Sequence, residues 1–123
     1  RIVGRRDFSS FESAGAERNS SVRDVTDCQV LPSADFAQTG HLAVEVEANG
    51  FLYNMVRNIV GTLVEVGVGK REPDWIEQVM DQCDRTVAGP TAPPQGLFLK
   101  HVQYLPGFTT RPTSDRHPQL TNP

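Results

Sequence analysis

Arg57 is the residue of this chain best suited to do chemistry. It is the one cation in the run Asn49 to Gly69, where nearly every neighbour is apolar. A guanidinium keeps its charge and presents a planar fork of donors. If the run is helical, Tyr53 lies one turn before Arg57 and Gly61 one turn after it. A glycine inside a helix is roughly 1 kcal/mol less favourable than alanine. It makes sense where something approaches the backbone closely beside the guanidinium. The plainer reading is an arginine whose stem packs on the core while its head reaches water. Other chemistries find little footing. Val66-Gly-Val-Gly-Lys70 resembles a phosphate loop, but Val64 stands where the first glycine is needed and Arg71 where Ser or Thr is needed. His41, His101 and His117 have no metal-ligand spacing. No Gly-x-Ser-x-Gly elbow occurs.

The elements that must position Arg57 follow from periodicity. At about 100° per residue, Leu52, Met55, Val56, Ile59, Leu63 and Val66 share roughly one third of a helix. Val60 and Val64 widen the stripe to about half, which predicts a central helix covered on two sides. It should stop near Gly67-x-Gly69. Before it, Val22 to Leu31 reads as a strand, Pro32-Ser33-Ala34-Asp35 as a turn, and His41 to Glu47 as an alternating strand. Asn49-Gly50 reads as a strand-to-helix corner. After it, Pro73 suits the first turn of a second helix, with Trp75, Ile76, Val79, Met80 and Cys83 as its apolar stripe. Gly89 to Gly96 must be an extended loop, and Leu97 to Leu105 returns to a strand. Phe8 and Phe11 read as anchors of the N-terminal segment. The expected fold class is α+β, an antiparallel or mixed sheet with helices packed on one face.

Composition narrows the classes. A chain of 123 residues is one domain, able to bury about two thirds of its unfolded surface. Cys28 and Cys83 lie far apart, which argues against a disulfide framework or zinc site and makes a cytoplasmic setting the default. No apolar stretch is long enough to span a membrane. The net charge of −3 argues mildly against an independent nucleic-acid binder. Charge is uneven, however. Arg1, Arg5, Arg6, Arg18 and Arg23 make the first segment basic, and Lys70-Arg71 form a second small cluster. After Pro106 the chain is rich in Thr, Pro and Arg, so the expected domain is 1–106, with 107–123 a flexible or foreign tail.

Six stretches in order carry a family likeness. They are Asp7-Phe8-Ser9-Ser10-Phe11 with Val22-Arg23; Val46-Glu47-Ala48-Asn49; Phe51-Leu52-x-x-Met55-Val56-Arg57-Asn58-Ile59-Val60-Gly61; Gly69-Lys70-Arg71; Asp84-Arg85-Thr86; and Ala88-Gly89-Pro90-Thr91-Ala92-Pro93-Pro94-x-Gly96-Leu97-Phe98-Leu99. Together they resemble the tRNA pseudouridine synthase A (TruA) family over about Asp7 to Tyr104. Members of that family are about twice this long, and their catalytic aspartate sits in an Arg-Thr-Asp-x-Gly-Val-type motif that this chain lacks. The likeness is therefore to the C-terminal half of the enzyme, half of a pseudouridine synthase fold.

The resemblance implies an isomerase that converts uridine to pseudouridine in the anticodon stem-loop of tRNA, with no cofactor and no metal. It implies a homodimer, a partner in the N-terminal half of the same protein, and an inactive isolated half. It makes Arg57 the partner of the nucleophilic aspartate, a pairing that would fix the carboxylate and keep it ionised. Gly61 gives that arginine room. Leu97 and Phe98 border the cleft as an apolar wall for a flipped base, although they also read simply as members of the last strand. Asn58 is carried as a substrate contact, while Asn58 and Asn49 also read as bridges between backbone groups. Arg5, Arg6, Arg23, Lys70 and Arg71 are the candidate RNA contacts. The alternative is a non-catalytic RNA-binding or dimerisation module that reuses the half-fold.

Overall fold

The computed structural model describes residues 2–15, 20–100 and 102. The expected tail at 107–123 lies outside the described residues. The chain divides into two compact units, the first ending at Ala92 and the second beginning at Pro93. No helix among the described residues is long and apolar enough to cross a membrane.

The first unit holds a three-stranded antiparallel sheet in the order β1 (Gly4–Asp7), β2 (Val22–Pro32), β3 (Leu42–Ala48). β2 alternates poorly in sequence, and a bulge explains why. Val25 faces Ala48 and Asp27 faces Glu47, so Thr26 is an extra residue on β2. A bulge shifts the side-chain phase by one. Val25 and Cys28, three apart, thereby both join the core with Val46 and Ala48 of β3. Thr26 points away, and its hydroxyl donates to the Glu47 carboxylate at 2.6 Å. Between β2 and β3, where a turn is expected, the short helix α1 (Phe36–Thr39) is closed by Gly40 at φ 73°. β1 has no counterpart in the sequence expectations: four residues of which two are arginine make no apolar alternation.

The central helix is α2 (Met55–Gly67), shorter than the run from Asn49 suggests. The correction has a local cause. Asn54 is left-handed at φ 59°, a conformation that Asn tolerates better than most residues and that no helix interior contains. Leu52 is nevertheless buried, at 3% exposure, from the segment before the helix. At the other end Gly69 takes φ 86°, as a helix-stopping glycine should. The second helix, α3 (Trp75–Gln82), likewise starts two residues after Pro73, which sits in the turn before it.

Phe8, Phe11, Val25, Met55, Ile59, Ile76, Val79 and Met80 form the core, with Ile2 and Leu52. Both helices thus pack on the one sheet face that carries Val25. α2 is covered on two sides, but not as its valines predict. Val64 is 50% exposed. The second covered side is Asn58, Gly61 and Thr62, all buried. In the second unit, Pro94–Gly96 form a 3-10 turn. Leu97 is extended, at φ −93° and ψ 124°, yet 97–100 pair with no strand. The strand expected from Leu97 is therefore not formed among the described residues. An extended backbone becomes a strand only with a neighbour to hydrogen-bond, and among the described residues the three strands pair with one another alone.

Candidate functional site

The site is built where the segment 89–92 crosses α2. Gly61 is the reason it can. A Cβ placed there would stand 1.6 Å from the Pro90 carbonyl oxygen. A Cβ on Gly89 would stand 2.7 Å from the Gly61 carbonyl oxygen and 2.8 Å from the Thr62 Cα. The two glycines face each other, and backbone lies on backbone. This is the close approach that a glycine one turn from Arg57 implies.

The segment is then tied down by polar contacts. The Ala92 amide donates to the Arg57 carbonyl at 3.1 Å. The Gly89 amide donates to the Thr62 hydroxyl at 2.9 Å, and that hydroxyl donates to the Asn58 carbonyl one turn back at 2.8 Å. Thr62 uses its donor and an acceptor in one place, which is why a β-branched polar residue is tolerated in a buried stretch of helix.

Arg57 projects beside this crossing. Its Nε donates to the Ala92 carbonyl at 2.8 Å and its Nη1 to the Asn54 side-chain oxygen at 3.2 Å. The left-handed Asn54 that delays the start of the helix therefore also supplies an acceptor to the arginine. Nη2 has no protein partner among the described residues. Arg57 is half-buried. With Nε committed to Ala92 and one Nη1 hydrogen to Asn54, the donors left for an anion are the other Nη1 hydrogen and the two on Nη2, at the end of the guanidinium. That edge can take both oxygens of a carboxylate at once.

Asn58 turns the other way and is fully buried. Its amide nitrogen donates to the Phe11 carbonyl at 2.8 Å and the Ser13 hydroxyl at 3.2 Å. Its oxygen accepts from Arg85 Nη2 at 3.0 Å and from the Thr91 hydroxyl at 2.6 Å. Asn58 thus links the N-terminal segment, α2 and the 89–92 segment.

Arg85 and Thr91 are participants that sequence reading did not single out. Arg85 donates to the Gly89 carbonyl at 2.7 Å, to Thr91 Oγ1 at 3.0 Å, and to Asn58. Asp84 presents it by capping the 3-10 turn Arg85–Val87, its carboxylate accepting from the Thr86 amide at 2.9 Å and hydroxyl at 2.7 Å. Those bonds hold the Asp84 carboxyl below its usual pKa. The signal available in sequence was an Asp-x-Thr cap followed by Gly-Pro-Thr, a polar group placed to meet Asn58.

Leu97 and Phe98 belong to the second unit and are 50% and 40% exposed. Among the cations, Arg5 is exposed on β1. Arg6 is engaged by α3, with Nη2 at 2.5 Å from Glu77 and 3.4 Å from Asp81. Arg23 donates to the Ser20 and Val22 carbonyls at 3.1 and 2.8 Å. Lys70 and Arg71 are exposed just past α2, and the Arg71 guanidinium lies over the Trp75 ring at 4.7 Å. The 3-10 turn Ser9–Phe11 buries Phe11, and Phe8 is buried just before it.

Comparison with known proteins identifies the family. The family model described as tRNA pseudouridine synthase matches residues 1–105. A protein named tRNA pseudouridine synthase A from Thermoanaerobacter sp. (strain X514) is 47% identical over 103 residues, which are 84% of this chain and 40% of that protein. Its namesake from Histophilus somni (strain 2336) is 42% identical over 103 residues, 84% of this chain and 36% of that protein. Another, from Colwellia psychrerythraea, is 39% identical over 107 residues, 87% of this chain and 39% of that protein. The chain spans about two fifths of the length of these curated relatives.

Proposed function

The chain belongs to the tRNA pseudouridine synthase family, and from that premise we propose that it is the C-terminal part of an enzyme that isomerises uridine to pseudouridine in tRNA. The substrate region is the anticodon stem-loop. The complete enzyme is a cytoplasmic homodimer, and its nucleophilic aspartate lies in the part of the relatives that this chain does not span.

The observation that carries the proposal is the state of Arg57. A half-buried guanidinium is held at Nε by a main-chain carbonyl and at Nη1 by the Asn54 side chain, which leaves one Nη1 hydrogen and both Nη2 hydrogens as donors at its end edge. An aspartate met end-on by that edge is fixed in orientation and kept ionised, so it can attack the nucleoside. The glycosidic C1′–N1 bond breaks, the uracil turns, a C1′–C5 bond forms as the aspartate is released, and the C5 proton is lost to solvent while N1 gains one. The reaction is an isomerisation and needs no oxidant or metal. The target base must first leave its stack, and an apolar surface such as Leu97 and Phe98 suits its flat face.

Of the candidate RNA contacts, Arg5, Lys70 and Arg71 are exposed and can be offered to the phosphate backbone. Arg23 is committed to backbone carbonyls, and Arg6 to carboxylates. They serve the RNA surface less.

Tritium release from undermodified tRNA labelled at uridine tests the proposal. The complete protein should turn over, and the chain of 123 residues alone should stay at background. Turnover by this chain alone contradicts the half-enzyme reading.

A further inference from the structure

The aim of Arg57 depends on something other than Arg57. Its Nε bonds to a carbonyl, and that carbonyl belongs to a segment with no regular secondary structure. Such a segment has no ladder to hold it; apart from the Ala92 amide bond to the Arg57 carbonyl, its hydrogen bonds to the rest of the unit run through side chains. Arg85 supplies three of the contacts: Gly89 O at 2.7 Å, Thr91 Oγ1 at 3.0 Å and Asn58 Oδ1 at 3.0 Å. These grip the segment on both sides of Pro90 and tie it to α2. Thr91 adds a direct bond to Asn58 at 2.6 Å. The next residue is Ala92, whose amide and carbonyl both engage Arg57.

We infer that Arg85, with Thr91, is a positioning residue. It fixes the 89–92 segment over Gly61, and through the Ala92 carbonyl it decides which edge of the Arg57 guanidinium faces the reacting carboxylate. Arg85 itself touches neither substrate nor nucleophile. Lysine at this position keeps the charge but reaches only one or two of the three acceptors at once. The segment then shifts, Nε is released, and the guanidinium can turn. A displacement of about 1 Å at a reacting centre lowers rate by roughly a hundredfold.

The inference rests on the proposed role of Arg57, and the test separates the two. In the complete protein, kcat and KM for tRNA are measured for Arg57→Lys, Arg85→Lys, Thr91→Val and the double variant Arg57→Lys/Arg85→Lys. Arg85→Lys should lower kcat about 10- to 100-fold and leave KM within about threefold. Thr91→Val, nearly isosteric, should lower kcat in the same way to a smaller extent. The double variant should be no slower than Arg57→Lys alone, because Arg85 acts only through Arg57.

In the present chain, the Arg57 Nε proton followed by NMR should exchange slowly with solvent, and Arg85→Lys should abolish that protection. If Arg57→Lys is active, the parent reading fails. If Arg57→Lys is inactive while Arg85→Lys and Thr91→Val keep normal kcat, only the positioning role fails. Multiplying defects in the double variant, or unchanged Nε protection, also overturn it. Should Arg85→Lys not fold, Thr91→Val decides alone by the same readouts.

Discussion

Arg57 and Ala92 hold each other at two points. The Ala92 amide donates to the Arg57 carbonyl at 3.1 Å, and Arg57 Nε donates back to the Ala92 carbonyl at 2.8 Å. The first contact docks a loop on a helix. The second makes that loop the support of a side chain.

Gly61→Ala should destabilise the chain although alanine favours helix. The propensity gain is roughly 1 kcal/mol. Against it stands a Cβ 1.6 Å from the Pro90 carbonyl oxygen, so the backbone itself must move. Forced overpacking of this kind costs about 1–3 kcal/mol or more. A clash with backbone this close belongs at the upper end of that range, so urea unfolding should show a net loss of about 2 kcal/mol. A gain in stability would mean that the 89–92 segment does not lie on Gly61.

Asn58→Ala should be severe for stability rather than for substrate binding. The residue is fully buried and bonds to Phe11, Ser13, Arg85 and Thr91. Each buried group left without a partner loses about 1–3 kcal/mol, so a total near 3 kcal/mol or above is expected. Denaturant titration checks it. A loss below about 0.5 kcal/mol, the range of ordinary surface substitutions, would show that the network is dispensable.

The Asp84 cap should make stability depend on pH. Its carboxyl is held below the ordinary carboxylate range by the Thr86 hydroxyl and amide. A group with a depressed folded-state pKa stabilises above its unfolded pKa and loses that contribution as pH falls through the folded value. Asp84→Ala should therefore lower Tm near neutral pH, and the gap from the unaltered chain should close on acidification below the normal aspartate pKa. Thermal melts at several pH values decide it. A gap that widens in acid would contradict the cap.

RNA affinity of this chain should be weak and strongly dependent on salt. Each phosphate neutralised adds about 0.9 to the slope of log affinity against log salt. Lys70→Ala and Arg71→Ala should each flatten the slope by about 1, while Arg6→Ala should act on stability through Glu77 and Asp81. Anisotropy titrations on an anticodon stem-loop test this. Tight binding that survives physiological salt would favour a stand-alone RNA module.

Much of the scaffold was legible because it rests on apolar periodicity. Met55, Ile59, Ile76, Val79 and Met80 sit where the helical stripes place them. What escaped has polar or backbone causes. The late start of α2 depends on Asn54 adopting positive φ, which no hydrophobic pattern records. The bulge at Thr26 hides the face shared by Val25 and Cys28. At the site, Arg57 and Gly61 were visible as a cation and a glycine out of keeping with their helix. The network behind them was not, because Asn58, Arg85 and Thr91 are far apart in sequence and meet only through hydrogen bonds. Leu97 belongs to a strand pattern that lacks a partner among the described residues.

The role of Arg57 is tested most directly by one comparison in the complete protein: kcat for tritium release by Arg57→Lys against the unaltered enzyme, with folding verified by thermal melt. Lysine retains the charge and loses the two-pronged end that would meet the carboxylate. A fall of about a hundredfold or more, with Tm nearly unchanged, is the expected result. Turnover within about threefold of the unaltered enzyme would reduce Arg57 to a helix-edge cation and contradict the account.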